Sequence, residues 1–369
     1  MVNGQFPKAF TLVELLVVIA IIGVLATLIT VAATAARQYV KVSLIKTEMG
    51  QIEMALEQYK TEFGEYPPDF TDSTAVYRHV KKRWPRFDLP GGSTQAAERV
   101  AQAMTSIYLA STVSTALAQC QPDISRNNLT FSTAARCVGA LPFWLGGIPG
   151  SDGKFLGFSA DPQAPFGRFS SGPNIGSTTT AADFDIGSMD KKTFMDLKLG
   201  VNVFFVTADK VNNETFPVLM QSSGSGEGLP YIYFRGRSTG GGEAYVVQDP
   251  WNTATSLLPK YYPLSKFFSS ASVDDVVVAY ARSGDPFNAT AAQQTPVVWY
   301  ESERYQLIHP GLDGKFGGIG NSSSSTGPFD SKYFKTTSDT ATGNNLGQQD
   351  MDNIVNFSGQ GATIKSLLP

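Results

Sequence analysis

Glu14 is the one charged side chain in the otherwise apolar stretch of residues 10–36. In the hydrocarbon core of a bilayer a carboxylate costs about 3 kcal/mol or more, so a charge kept there needs a partner. Without one, a buried carboxylate takes up a proton rather than stay ionised. The position therefore predicts a partner group for Glu14.

Two cysteines, Cys120 and Cys137, are the only ones in the chain. In an oxidising compartment the pair most simply forms one disulfide, and closing that loop contributes about 3 kcal/mol in the chain-entropy account. The alternative is two free, buried thiols.

Other side chains suited to catalysis or metal binding are few. The chain has two histidines, His79 and His309, and with two cysteines they fit the ligand count and spacing of no common zinc site. A metal, if bound, would be held by oxygen. The nucleophile elbow, the P-loop and the dinucleotide fingerprint are missing from the sequence. We therefore expect no enzymatic activity, no nucleotide site and structural or exposed roles for both histidines.

The charge balance excludes a second class of function. Twenty-nine basic and 32 acidic residues give a formal net charge of −3, without the basic footprint of a nucleic-acid-binding protein. We therefore do not expect the whole chain to bind nucleic acid. The basic stretch around His79, residues 78–86, is most simply a solvated face, although such a patch could touch an anionic partner.

The apolar stretch is long enough to span a membrane. Residues 15–36 carry no charged side chain, and roughly 20 apolar residues cross the hydrocarbon core as a helix. A secretory signal peptide and a plain anchor are the simplest alternatives. However, the stretch is too long for a signal peptide and continues directly into a second helical pattern, and a plain anchor has no reason to carry Glu14. We assign residues 10–36 to a transmembrane half-helix.

The second half-helix, residues 37–64, is amphipathic. Its apolar residues recur at spacings of three and four, which is one face of a helix. They are Val42, Ile45, Met49, Ile52, Leu56, Tyr59 and Phe63. The polar residues between them, which include Glu48, Glu53 and Glu57, are expected to face solvent or neighbouring subunits. Gly64 and the pair Pro67–Pro68 predict the end of the helix.

Residues 65–369 are expected to form an exported globular head. Seven runs typical of strands are separated by turn residues: Val201–Thr207, Pro217–Met220, Tyr231–Phe234, Glu243–Val247, Val276–Tyr280, Val297–Tyr300 and Tyr305–Ile308. Residues 95–119 predict a further helix, and residues 141–187 predict irregular surface loops. The fold class is therefore α+β, with a long N-terminal helix packed on a mostly antiparallel sheet and insertions at about 80–200 and 321–349.

The string Lys8-Ala9-Phe10-Thr11-Leu12-Val13-Glu14, followed by the apolar run, resembles the class III signal of type IV prepilins and type II secretion pseudopilins. The resemblance implies that residues 1–9 are a leader, which prepilin peptidase removes between Ala9 and Phe10 before methylating the new terminus. It also implies that Glu14 meets the α-amino group of an adjacent subunit during assembly. Two positions depart from the family: Ala9 replaces the usual glycine, and Val31 stands near where a proline is common.

The ending of the helix, Ala55–Pro67, is similar to the major pseudopilin of type II secretion, and Gln248–Asn252 resembles a turn of that protein. The glycine-rich residues 311–318 and the later residues 350–354 resemble its calcium-binding C-terminal loop. This resemblance implies calcium ligation by Asp313, Asp350 and Asp352, and carboxylate and carbonyl oxygens are the ligands that Ca²⁺ prefers. The alternative is a plain, turn-rich C-terminus.

Taken together, the resemblance implies a structural subunit that forms a helical filament with its own copies. Its partners would be prepilin peptidase, the bilayer, and an inner-membrane assembly platform with its ATPase. The subunit would first cross the bacterial inner membrane once, with its N-terminus in the cytoplasm, and then stand in a periplasmic or cell-surface filament. The alternative is a minor or tip subunit, or an anchored head, that binds a surface, glycan or DNA ligand.

Overall fold

The structure of this chain is a computed structural model. It describes residues 11–87, 138–148, 153–163, 165, 192–208, 214–221, 230–237, 245–248, 257–259, 261–263, 276–283, 298–316, 335–336, 352–358 and 363–367. The chain divides into two compact units, Met1–Leu44 and Ile45–Pro369. The predicted helix at 95–119, the turn at 249–252 and almost all of the insertion at 321–349 lie outside the described residues.

Helix α1 runs from Leu12 to Phe63 without a break at Val31. By length and composition it can cross a membrane, and its large apolar side chains from Leu12 to Val31 are all exposed. At the other end the backbone N–H of Gly64 donates to the Lys60 carbonyl at 2.7 Å, with the φ angle of Gly64 at +74°. A glycine adopts this left-handed conformation without strain, so the predicted end of the helix is confirmed.

The second unit begins with the last turns of α1, whose buried face follows the predicted stripe. These side chains are at most 2% exposed: Ile45, Met49, Ile52, Ala55, Leu56 and Tyr59. Val42 and Phe63, at the two ends of the predicted stripe, are half-buried. The spacing of three and four therefore gave the correct phase of the helix.

The prediction that the polar side of these turns faces solvent or neighbouring subunits is wrong for Glu48 and Glu57, whose carboxylates contact the head. Glu48 accepts a hydrogen bond from the Tyr231 hydroxyl at 2.8 Å. Glu57 accepts one from the Tyr66 hydroxyl at 2.9 Å and pairs with Arg304. The head thus covers more of the helix than its apolar stripe, because hydroxyl and guanidinium groups can pair with carboxylates beside that stripe.

Two shorter α-helices, with two 3₁₀ helices at Asn356–Ser358 and Ile364–Leu367, complete the described helical structure. Helix α2, Ser73–Arg83, is capped by the Asp72 carboxylate, which accepts hydrogen bonds from the backbone of Thr74 and Ala75 at 2.9 and 3.2 Å. Helix α3, Ala140–Gly146, is buried along its whole length. The surface loop predicted from residue 141 is therefore wrong over α3, because the apolar residues there pack in the core and Pro142 is tolerated in a first turn.

The strands are short and form five small sheets among the described residues. They are β1 Val203–Ala208, β2 Glu214–Leu219, β3 Ile232–Arg235, β4 Val246–Gln248, β5 Leu257–Pro259, β6 Tyr261–Pro263, β7 Val276–Val278, β8 Tyr280–Ser283, β9 Val298–Trp299, β10 Tyr305–His309, β11 Lys335–Thr336 and β12 Ile354–Val355. The sheets are β1-β2, β12-β10-β3, β11-β8-β9, β4-β5 and β6-β7.

All described strand pairs are antiparallel except β8 with β11. Each of the seven predicted runs overlaps an observed strand, although Val276–Tyr280 divides between β7 and β8. Strands β5, β6, β11 and β12 were not predicted, because each has only two or three residues and belongs to no longer run of the kind that indicated β4, β7 and β9. The α+β class with mostly antiparallel strands is confirmed.

An aromatic cluster fills the core between α1, α2 and α3. The Trp144 ring stacks on Phe70, with centroids 5.6 Å apart, and meets the His79 ring edge-on at 5.0 Å. The Tyr59 ring lies 6.5 Å from Trp144. Aromatic pairs in these arrangements contribute about 0.5–1.5 kcal/mol each beyond their buried area. The cluster places His79 where water does not reach it.

Candidate functional sites

The N-terminal site is described only from Thr11 onward, because Ala9 and Phe10 lie outside the described residues. The Glu14 carboxylate accepts hydrogen bonds from the Thr11 backbone N–H at 2.9 Å and from its hydroxyl at 2.8 Å. In return the Thr11 hydroxyl accepts from the Glu14 backbone N–H at 3.2 Å. This is a capping box, and the Thr-x-x-Glu spacing could have predicted it. In the single chain, Thr11 is thus the partner of Glu14.

The C-terminal site brings two of its three predicted aspartates together. Asp352 Oδ2 accepts the backbone N–H groups of Leu312 and Asp313 at 2.9 and 3.1 Å. Asp313 Oδ1 accepts the N–H of Lys315 at 2.8 Å. Gly311 permits this close approach: its φ is +70°, and a Cβ there would lie 2.2 Å from the Asp352 carbonyl oxygen. The third aspartate, Asp350, lies outside the described residues.

The oxygen atoms of this loop are of the types that bind a hard cation. Next to Asp352, the Asn353 side chain is buried, and its Oδ1 accepts no hydrogen bond within the described part of the chain. Its Nδ2 donates to the Tyr280 hydroxyl and the Phe316 carbonyl at 3.0 and 3.1 Å. Carboxylate and amide oxygens are calcium ligands. However, the described residues contain no group of three or more acidic, histidine or cysteine side chains placed to hold a metal.

The predicted disulfide cannot be located, since Cys120 and Cys137 lie outside the described residues. Their pairing stays a prediction.

Both histidines are buried, in agreement with a structural role. His309 lies on β10, and its Nδ1 accepts the backbone N–H of Gly311 at 3.2 Å. Burial lowers the pKa of His309 to about 3. The ring is therefore neutral at ordinary pH, because its charged form would lose its hydration and would gain no counter-charge from the described part of the chain.

His79 belongs to a buried polar chain that the sequence did not predict. We name the chain of Arg83, Tyr59, His79 and Glu65 the His79 relay. Arg83 Nη1 lies 3.0 Å from the Tyr59 hydroxyl, which lies 2.6 Å from His79 Nε2. His79 Nδ1 lies 2.9 Å from Glu65 Oε1. On the other side of the Glu65 carboxylate, Arg235 Nη2 donates to Oε2 at 2.8 Å.

Burial and hydrogen bonding shift the pKa values of Glu65, His79 and Tyr59 in this relay. Burial acts to raise the pKa of Glu65, but hydrogen bonds from His79 and Arg235 outweigh it and lower that pKa to about 2. Burial lowers the pKa of His79 to about 4 although Glu65 opposes the shift. Burial also raises the pKa of Tyr59 to about 12. At neutral pH the relay therefore holds a carboxylate, a neutral imidazole and a neutral phenol.

A second polar cluster joins α1 to β10. Arg304 pairs with Glu57 and donates from Nε to the Tyr66 hydroxyl at 3.2 Å. Burial raises the pKa of Glu53, one turn earlier on α1. These groups position the helix against the sheet, and no pattern in the sequence brings residues so distant in the chain together.

Comparison with known proteins identifies the N-terminal segment. Residues 7–30 match the family described as the prokaryotic N-terminal methylation motif. No curated protein matches the chain, and no solved structure matches it. The N-terminus therefore carries a motif of the prepilin type, at the start of an apolar helix of membrane-spanning length.

Proposed function

We propose that this chain is a structural subunit of a type IV pilus-like or type II secretion pseudopilus filament. The observation that carries the proposal is the methylation motif at residues 7–30. It includes the start of a single helix that runs from Leu12 to Phe63. Such a helix can be stored in a bilayer and then packed against copies of itself in a filament. The head adds strands that hold the last turns of α1.

Processing would create the charge that Glu14 needs during assembly. Cleavage between Ala9 and Phe10 leaves an α-amino group four residues before Glu14. In a filament that group on one copy would pair with the Glu14 carboxylate of the next, and the carboxylate would leave its hydrogen bonds with Thr11. The α-ammonium group would give the carboxylate an opposite charge, which favours its ionised form and which the neutral threonine does not supply. A platform protein and its ATPase would supply the energy for extraction from the inner membrane.

A second candidate function is a minor or tip subunit whose head binds an anionic surface ligand. Arg78 and Lys82 on α2 favour it, because their side chains are 59% and 51% exposed. Binding of the full chain in detergent to acidic glycans or DNA, lost in the double change Arg78→Glu and Lys82→Glu, would support it. If the chain does not bind these ligands at low salt, the binding function is excluded and only the structural function remains.

The first test of the filament proposal is the mature N-terminus. Protein recovered from native membranes and from sheared surface material is analysed by intact mass and N-terminal sequencing. We expect a chain that starts at methylated Phe10 in the sheared fraction. A chain that starts at Met1, or one found only in membranes, would contradict the proposal.

Ala9 sets the expected rate of processing. The family usually has glycine before the cut, and we expect the methyl group of Ala9 to slow access to the peptide bond. We expect Ala9→Gly to increase the initial rate of leader removal severalfold, measured by gel shift with prepilin peptidase co-expressed. Gln5→Gly is the matched control and should leave the rate unchanged. Equal rates for Ala9→Gly and the unmodified chain would show that Ala9 is no obstacle.

We further propose that Asp313, Asp350 and Asp352 bind calcium. Free calcium at one hundred times its dissociation constant would stabilise the fold by about 2.7 kcal/mol. We expect Asp313→Asn to lower the melting temperature of the full chain in calcium but not in chelator. The asparagine Oδ1 can still accept the Lys315 N–H, so the change tests the charge. Asp196→Asn, at an exposed site, is the control, and equal melting of the unmodified chain with calcium and with chelator would exclude the site.

A further inference from the structure

The His79 relay has a single consistent direction of hydrogen bonding. Arginine only donates and a carboxylate only accepts. The Tyr59 oxygen therefore accepts from Arg83, the Tyr59 hydroxyl donates to His79 Nε2, and the His79 Nδ1–H donates to Glu65. This direction requires the neutral imidazole with its proton on Nδ1. The relay joins α2, which carries His79 and Arg83, to the last turn of α1 and to the segment that follows it.

A proton on Nε2 would break this arrangement. The new N–H would point at the Tyr59 oxygen, and the Tyr59 hydroxyl would have to turn away from its only acceptor in the relay. The Tyr59 side chain is fully buried and the His79 side chain is 1% exposed, so water cannot supply a replacement. A buried donor without an acceptor costs about 1–3 kcal/mol.

The charges around His79 add to this penalty. Among the described residues, several charged or titratable groups face His79 or its Glu65 partner. They are Tyr59 from α1, Glu65 from the connecting segment, Arg83, Arg78 and Lys82 from α2, and Arg235 from β3. From α3 it meets only the uncharged Trp144 ring. The Glu65 carboxylate thus already pairs with several cations. A protonated His79 would add one more positive charge beside them.

We propose that the His79 relay is a proton-sensitive latch, which holds α2 against the end of α1 at neutral pH and releases α2 on acidification. Release exposes His79 to water, which hydrates its charged form. Water also accepts a hydrogen bond from the donor that has no acceptor in the latched state. The latch is independent of whether the chain forms filaments.

The direction of the pH effect follows from proton uptake. The pKa of His79 is about 4 in the latched state, below the ordinary value of 6.5. Between these values the released state binds more protons than the latched state, so the latch weakens as pH falls and is at full strength above about pH 6.5. Between pH 7 and pH 5 the released fraction should rise about twentyfold through this one proton. Glu65 stays largely ionised in both states over this range.

Hydrogen exchange of the full chain in detergent tests the latch. Exchange of α2 peptides is followed by mass spectrometry at pH 7 and pH 5 and corrected for intrinsic rates. We expect protection in α2 to fall about twentyfold in the unmodified chain and to be independent of pH in His79→Gln. His309→Gln is the matched control and should keep the twentyfold change. Unchanged protection in the unmodified chain, or an equal loss of pH dependence in His309→Gln, would overturn the latch.

A second measurement does not depend on the folding of a variant. The ring protons of the two histidines are titrated by NMR in the unmodified chain and assigned by their neighbouring rings, Trp144 for His79 and Tyr231 for His309. The latch requires His79 to titrate well below its ordinary range, and a His79 that titrates near pH 6.5 would overturn it.

Discussion

Replacing Glu65 by glutamine is expected to lower the free energy of unfolding by about 3–5 kcal/mol. The Glu65 carboxylate is the shared acceptor for His79 Nδ1 at 2.9 Å and Arg235 Nη2 at 2.8 Å, and the Arg235 side chain is 9% exposed. Glutamine keeps the shape but presents an N–H group and no charge. Arg235 would then be a buried cation that has lost the Glu65 carboxylate as counter-ion, which is the costly way to break a buried pair.

Glu62→Gln provides the control for this change. Glu62 precedes Glu65 by three residues and pairs with Lys192 at 2.6 Å, but the two side chains are 34% and 57% exposed. Exposed pairs contribute about 0–1 kcal/mol because water and salt screen them. Urea-induced unfolding of both variants in detergent, followed by tryptophan fluorescence, gives the comparison. Similar losses for Glu62→Gln and Glu65→Gln would contradict the importance of the buried pair.

Replacing Gln306 by leucine is expected to cost about 3–6 kcal/mol. The Gln306 side chain is fully buried and connects β10 to β8. Its Oε1 accepts the Tyr280 backbone N–H at 2.7 Å, and its Nε2 donates to the carbonyls of Tyr280 and Tyr300 at 2.8 and 3.0 Å. Leucine has nearly the same size but pairs with none of these groups. The two buried Tyr280 backbone groups would each lose a partner, at about 1–3 kcal/mol per group. The part-buried Tyr300 carbonyl would lose one at a smaller cost.

Gln58→Leu is the matched control for this second change. Gln58 is exposed on α1, and exposed substitutions usually change stability by less than about 0.5 kcal/mol. The same urea titration measures both variants. A loss below about 1 kcal/mol for Gln306→Leu would show that water or a rearranged backbone replaces the side chain.

Local patterns were sufficient for the elements that depend on near neighbours. The apolar run and the three-and-four spacing determined the course of α1, and Gly64 determined where it ends, because helix hydrogen bonds join residues four apart. The string from Lys8 to Glu14 indicated the processing motif, which the match at residues 7–30 supports. Alternating apolar runs located seven strand regions. Thr11 and Glu14 also form a local pair, and their capping-box spacing was present in the sequence.

Tertiary structure alone decided how these elements meet. The hydrogen bond from Tyr231 to Glu48 joins residues 183 positions apart, and that from Arg235 to Glu65 joins residues 170 positions apart. No periodicity relates such positions. The sequence therefore predicted that Glu48 and Glu57 face solvent or neighbouring subunits. His79 stood in a basic stretch that predicts exposure, yet α2 turns it inward onto Tyr59 and Glu65. The sequence by itself determined the helix, its processing motif and the strand regions. The folded head alone decided which polar groups are buried, because burial depends on contacts between segments far apart in the chain.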